Sequence, residues 1–153
     1  MVAQEQEIAE MMQGYATQAV ALAREFNIAL DYSENSLQKV EGLLNQLHDE
    51  LNQWSIGKSS PKPKPTQQQV DEMSRIWGAY LGEVVRRRFG GEWTIESYPG
   101  GDFLIVALNV GGSRLFPSMK VHKRLTEGAN DNLWTFYQMM REKLLAQPGA
   151  KIQ

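Results

Sequence analysis

The stretch Phe103-Leu104-Ile105-Val106-Ala107-Leu108-Asn109-Val110-Gly111-Gly112-Ser113-Arg114-Leu115-Phe116 decides the fold class. Its apolar first part is strand-length and reads as a central strand buried on both faces. Gly111-Gly112 suits a two-residue hairpin turn, and Ser113–Phe116 is the short return, ended by Pro117. Just upstream, Trp93-Thr94-Ile95-Glu96-Ser97-Tyr98 alternates as a strand does, and Pro99-Gly100-Gly101-Asp102 is turn chemistry. Together these predict a three-stranded antiparallel meander.

Helices flank the meander. In residues 4–26, Ile8, Met12, Tyr15, Ala19, Leu22 and Phe26 recur at helical spacing. In residues 34–54, Leu37, Val40, Leu44, Leu47, Leu51 and Trp54 do so with heptad-like steps. Ser33, or a box from Asp31 to Glu34, caps this second helix. The two stripes predict an antiparallel helical hairpin. Thr66-Gln67-Gln68-Gln69 is a capping box that opens a helix over 67–89. Its wide apolar face makes it the core helix, and Gly78 and Gly82 offer a groove for close packing. Residues 118–126 fit a short helix capped by Ser118 or a strand. A final helix, capped by Asn130 or Asp131, runs to about Ala146. The expected fold is α+β, with a helical hairpin (1–54), a Pro/Lys linker (55–65), a small α+β domain (66–147) and a frayed tail (148–153).

Composition removes several chemistries. The 153 residues include no cysteine and two histidines, His48 and His122. Disulfide scaffolds, thiolate sites and histidine-rich metal centres are excluded. No apolar run approaches a bilayer span, and Met1–Glu10 lacks the cationic start of a signal peptide, so a cytoplasmic location is expected. The net charge of −2 conceals a division. Residues 1–54 hold nine acids and two bases, whereas the rest holds fourteen bases and nine acids. Opposite signs in two halves point to mutual docking or to different partners.

Leu30-Asp31-Tyr32-Ser33-Glu34-Asn35-Ser36-Leu37, then Val40-Glu41-Gly42-Leu43-Leu44, resembles the opening of a group of small uncharacterised bacterial proteins. Trp77 to Glu83, Gly90-Gly91-Glu92-Trp93, Pro117 and Lys123 to Gly128 are similar to the rest of that pattern. The resemblance implies a bacterial, cytoplasmic α+β domain. It carries over no activity, cofactor or catalytic residue.

Candidate sites are few. Arg114, Ser118, Lys120, His122, Lys123 and Arg124 form the best anion site, if Ser118 opens a helix whose N–H groups join the cations. The acidic balance and the absence of interleaved aromatics argue against nucleic acid. Glu83 on the core helix is either a buried acid or an arginine partner. His122 lacks a fixed nucleophile, because Ser118 is better explained as a cap. The narrow stripe of Leu37, Leu44, Leu51 and Trp54 is the expected interaction surface. The expected function is a non-catalytic protein–protein interaction module that uses the hairpin stripe or the sheet face, self-association included, with no cofactor or metal. A small-anion (phosphate or nucleotide) binding domain or enzyme and a toxin- or phage-neutralising protein are the alternatives.

Overall fold

A computed structural model describes residues 2–55 and 65–147. The proline–lysine linker lies outside these residues apart from its ends, as do the expected tail 148–153 and the side chain of Trp54. Five helices and three strands follow the expected order: α1 (Val2–Glu25), α2 (Ser36–Ser55), α3 (Gln67–Phe89), β1 (Glu92–Ser97), β2 (Leu104–Val110), β3 (Ser113–Leu115), α4 (Pro117–Glu127) and α5 (Leu133–Leu145). A single 3-10 turn, Ala129–Asp131, separates α4 from α5. The fold is α+β.

The meander forms as its turn residues dictate. β2 is central, antiparallel to both β1 and β3. Val110 pairs with Ser113 across Gly111-Gly112, and both glycines have positive φ (54° and 76°), the geometry of a two-residue hairpin turn. The expectation that β2 is buried on both faces holds at Ala107 and Leu108, both fully buried, and is corrected at the start of the strand. Trp93, Leu108 and Val110 are buried under the helices, but Leu104 is 70% exposed. Thr94, Glu96, Asn109 and Arg114 share the opposite face. There Asn109 donates to Thr94 Oγ1 at 3.2 Å and Arg114 lies 3.7 Å from Glu96.

α3 is the core helix. Thr66 and Gln69 make a reciprocal capping box at its start. Its two glycines are where other backbone and rings approach. A Cβ on Gly78 would stand 2.5 Å from the Ser118 Cα at the start of α4. One on Gly82 would run into the Trp93 indole, 2.5 Å from Cζ2. The groove predicted there therefore receives both a helix and the sheet.

The N-terminal helices do not zip together along their stripes. α1 lies on α3 and β1, and α2 lies on α4 and α5. The α1 contact face is smaller than the sequence suggests: Ile8, Met12, Ala16, Ala19 and Ala23 are buried, while Phe26 is 54% exposed. The helix has ended before Phe26. Asn27 takes left-handed geometry (φ 60°), and Ile28 N–H and Asn27 N–H bond back to Ala23 and Arg24 carbonyls at 3.0 and 2.9 Å, a Schellman closure. Leu37 and Leu44, expected on an interaction surface, are fully buried in the chain's own core. That core is one cluster running from Ile8 to Leu144, and Leu51 packs against it partly buried.

Two acids of the first half, Glu34 and Glu41, dock on arginines of the second, while Glu5, Glu7, Glu10, Glu25, Asp31, Asp49 and Glu50 stay exposed. Glu34, at the entry to α2, meets Arg88 at 3.3 Å, Arg141 at 3.4 Å and the hydroxyl of Tyr137. Glu41 on α2 holds Arg124 at 2.7 Å and also accepts the first N–H of α5, from Leu133, at 2.9 Å. One carboxylate thus joins α2, α4 and α5.

Candidate functional site

An open groove of about 460 Å³ lies between α1, α3, α4 and the start of β2. Its existence follows from the fold. The helices cover the Trp93–Leu108–Val110 end of the sheet and leave the Leu104–Val106 end open. Met11, Met12 and Tyr15 form the α1 wall, Phe103 and Leu104 the sheet wall, and Met119 the α4 wall. Met11 is 45% exposed and Phe103 47%. Sulfur and aromatic side chains adapt to varied apolar surfaces without large rotamer cost.

The polar lining is concentrated on α3 and α4. Ser74 is spent on the Val70 carbonyl at 2.8 Å. Asp71 accepts from Gln67 at 2.9 Å and faces His122 Nε2 at 3.7 Å. Ser118 also lines the groove, one helical turn before His122, but no hydrogen bond joins the two among the described residues. Arg75 is exposed and has no hydrogen bond or ion pair among the described residues.

The residues expected to bind an anion are divided. Arg114, Lys120 and Lys123 line a second depression of about 240 Å³, which shares Met119 with the groove. Ser118 and His122 belong to the groove instead. Lys120 is paired with Asp131 at 3.3 Å and lies 5.2 Å from the centre of the Phe136 ring. Arg124 belongs to neither, because it is 1% exposed and both its carboxylate partner and Asn45, at 2.7 Å, face it from α2. It is a structural cation, not an anion ligand. Ser118 is not the cap of α4 either. Phe116 holds that position without a side-chain bond, and Pro117 is the first helical residue, as its fixed φ favours.

Glu83 is completely buried but is no raised-pKa acid. Burial pushes its carboxyl up, and bonds from Arg86 (2.7 and 2.9 Å) and Trp93 Nε1 (2.9 Å), with the charge of Arg86 and Arg87, outweigh that and hold it below the usual range. Glu34 is depressed in the same way: desolvation opposes, while Tyr137, Arg88 and Arg141 prevail. His48 Nδ1 donates to the Leu125 carbonyl at 2.7 Å, and the ring packs against Gly128, a joint between α2 and the end of α4.

The groove itself was missed from sequence. Its wall residues are separated by more than a hundred positions, from Met11 to Met119, and Met11 and Met12 read as adaptable packing. The available signal was Phe103-Leu104 at the mouth of a turn, two large apolar residues where a turn needs none. Among the described residues there is no group of three or more histidine or acidic side chains able to hold a metal ion. No helix among them is long and apolar enough to cross a membrane. In comparison with known proteins, the chain matches no family model, no curated sequence and no solved structure.

Proposed function

We propose that this protein is a non-catalytic protein-interaction module, acting in the cytoplasm, that takes an apolar segment of a partner chain into the groove between α1, α3, α4 and the start of β2. One observation carries the reading. Met11, Phe103 and Leu104 are large, apolar and exposed, and all three converge on this one groove. Scattered apolar residues need no explanation on a surface, but a contiguous concave set marks a binding site. The binding surface is thus moved from the α2 stripe, whose Leu37 and Leu44 are occupied by the core, to the open end of the sheet.

The anion-binding alternative is weakened by the loss of Arg124 and by the carboxylates already beside Arg114 and Lys120. The neutralising-protein alternative needs a free acidic half, and it loses Glu34 and Glu41, which are turned toward the chain's own arginines, but keeps the exposed acids of α1 and of the end of α2.

Peptide display against the intact protein tests the proposal. The expected selection is a recurring pattern of large apolar residues whose binding is abolished by Leu104→Asp and kept by Phe26→Asp, an exposed apolar site outside the groove lining. Selected peptides that bind the Leu104→Asp protein as well as the wild type would remove the groove from consideration.

A further inference from the structure

We infer that the partner segment taken by the groove is an acidic amphipathic helix, whose apolar face enters the groove and whose carboxylates meet Arg75 and Lys123. This rests on the groove being the binding surface, and it adds the charge of what binds there.

The argument is one of unspent charge. Among the described residues that line the groove the one acid is Asp71, which accepts from Gln67 and faces His122 Nε2 at 3.7 Å. Among the described residues the one arginine that lines it, Arg75, is exposed and has no partner. Across Met119, the second depression adds Lys123, likewise exposed and unpartnered among the described residues. α4 opens at this place with Pro117 and no acid in its first turn, so its dipole contributes the same sign.

The contrast with the rest of the molecule makes this informative. Arg86, Arg88, Arg124 and Arg141 all have carboxylates within 3.4 Å. Arg87 and Arg114 have one at 3.7 Å, and of the two arginines without a carboxylate partner among the described residues, Arg24 and Arg75, Arg75 is the one that lines the groove. Glu7 and Glu10 are exposed on the α1 side, one turn or less before Met11. They disfavour an acid there and turn the partner's carboxylates toward α3 and α4. An extended apolar contact flanked by such charges is how an amphipathic helix docks in a groove. The charges select and steer, and the apolar face supplies affinity.

Two synthetic helices test this on the intact protein by fluorescence anisotropy. One has Leu at heptad a and d positions and Glu elsewhere, and its twin has Lys in place of Glu. We expect the acidic helix to bind roughly fivefold or more tightly than the twin at low salt, with the gap closing as salt rises. Arg75→Glu with Lys123→Glu, both at exposed unpartnered sites, is expected to reverse the preference. Twins that bind alike, with no effect of that double variant, overturn the charge assignment and leave the groove reading standing. Leu104→Asp without effect on either helix overturns the groove reading itself. Vesicles of anionic lipid bound while neither helix is bound would overturn the protein partner in favour of a lipid surface.

Discussion

Gly82 of α3 lies directly under the indole of Trp93, so closely that no side chain fits between them. Trp93 is 2% exposed and its Nε1 is tied to Glu83, so the ring cannot yield. Gly82→Ala is expected to destabilise by about 1–3 kcal/mol through overpacking. Gly14→Ala is the internal contrast, since its Cβ would meet nothing within 4 Å in α1. Removing a mid-helix glycine there should stabilise by about 0.5–1 kcal/mol. Urea unfolding of both variants checks the pair.

The Glu41–Arg124 bridge is a structural joint, and its energetics should show it. Arg124→Ala leaves Glu41 in a largely buried site without its cation and is expected to cost about 3–5 kcal/mol. Arg124→Met with Glu41→Gln is expected to cost clearly less than the sum of the two single changes. A double-mutant cycle by denaturation measures this, and strict additivity would contradict the joint.

Acid should unfold the protein through two named carboxylates. Glu34 and Glu83 both have folded pKa values below the ordinary 4.5. Their contribution is therefore complete above about pH 4.5 and is lost as the pH falls through the lower folded values. The thermal midpoint should drop steeply below that point. Glu34→Gln should lower the midpoint at neutral pH and flatten the acid limb.

Alkali should act through Tyr137. Burial first, then its bond to the Glu34 carboxylate, pushes its hydroxyl far above the ordinary 10.0. A raised acid stabilises the fold while protonated, so this contribution is present below pH 10 and is lost as the pH climbs toward the folded value. Tyr80, held by burial despite bonds to Ser36 and to the Tyr32 N–H, works in the same direction. Tyrosinate absorbance on titration should show these two rings ionising only with unfolding, and Tyr137→Phe should remove part of the alkaline limb.

Two leucines separate the old surface from the new one. Leu37→Ala, at a fully buried position, is expected to cost about 2–5 kcal/mol. Leu104→Asp, at a position 70% exposed, is expected to change stability by no more than about 0.5 kcal/mol while abolishing partner binding. Thermal unfolding beside a binding assay distinguishes the two.

Local chemistry was the legible part of this sequence. Thr66 to Gln69, Gly111-Gly112 and the alternation of Trp93 to Tyr98 each act over a few residues, and each element stands where those signals put it. The Gly78–Gly82 spacing announced close packing before its occupants were visible. What the sequence concealed depends on distant residues. The heptad stripe of α2 looks the same whether α1, α5 or another molecule covers it, and only tertiary contact selects α4 and α5. Arg124 and Lys123 are neighbours in one basic run, yet helical geometry sends one inward to Glu41 and the other outward. Ser118 matched the cap rule, but Pro117 claims the first helical position and displaces it.

The reach of the ion pairs has a consequence for synthesis. Glu41 waits for an arginine 83 positions later, and Glu34 for Tyr137 and Arg141, 103 and 107 positions later. As the chain leaves the ribosome, its acidic first third emerges with these carboxylates unmatched and with Leu37 and Leu44 uncovered. These contacts, long in sequence, close only once α4 and α5 have been made, and a product truncated before Tyr137 is expected to lose the partners of Glu34 and to be more open to proteases than the chain that carries α5.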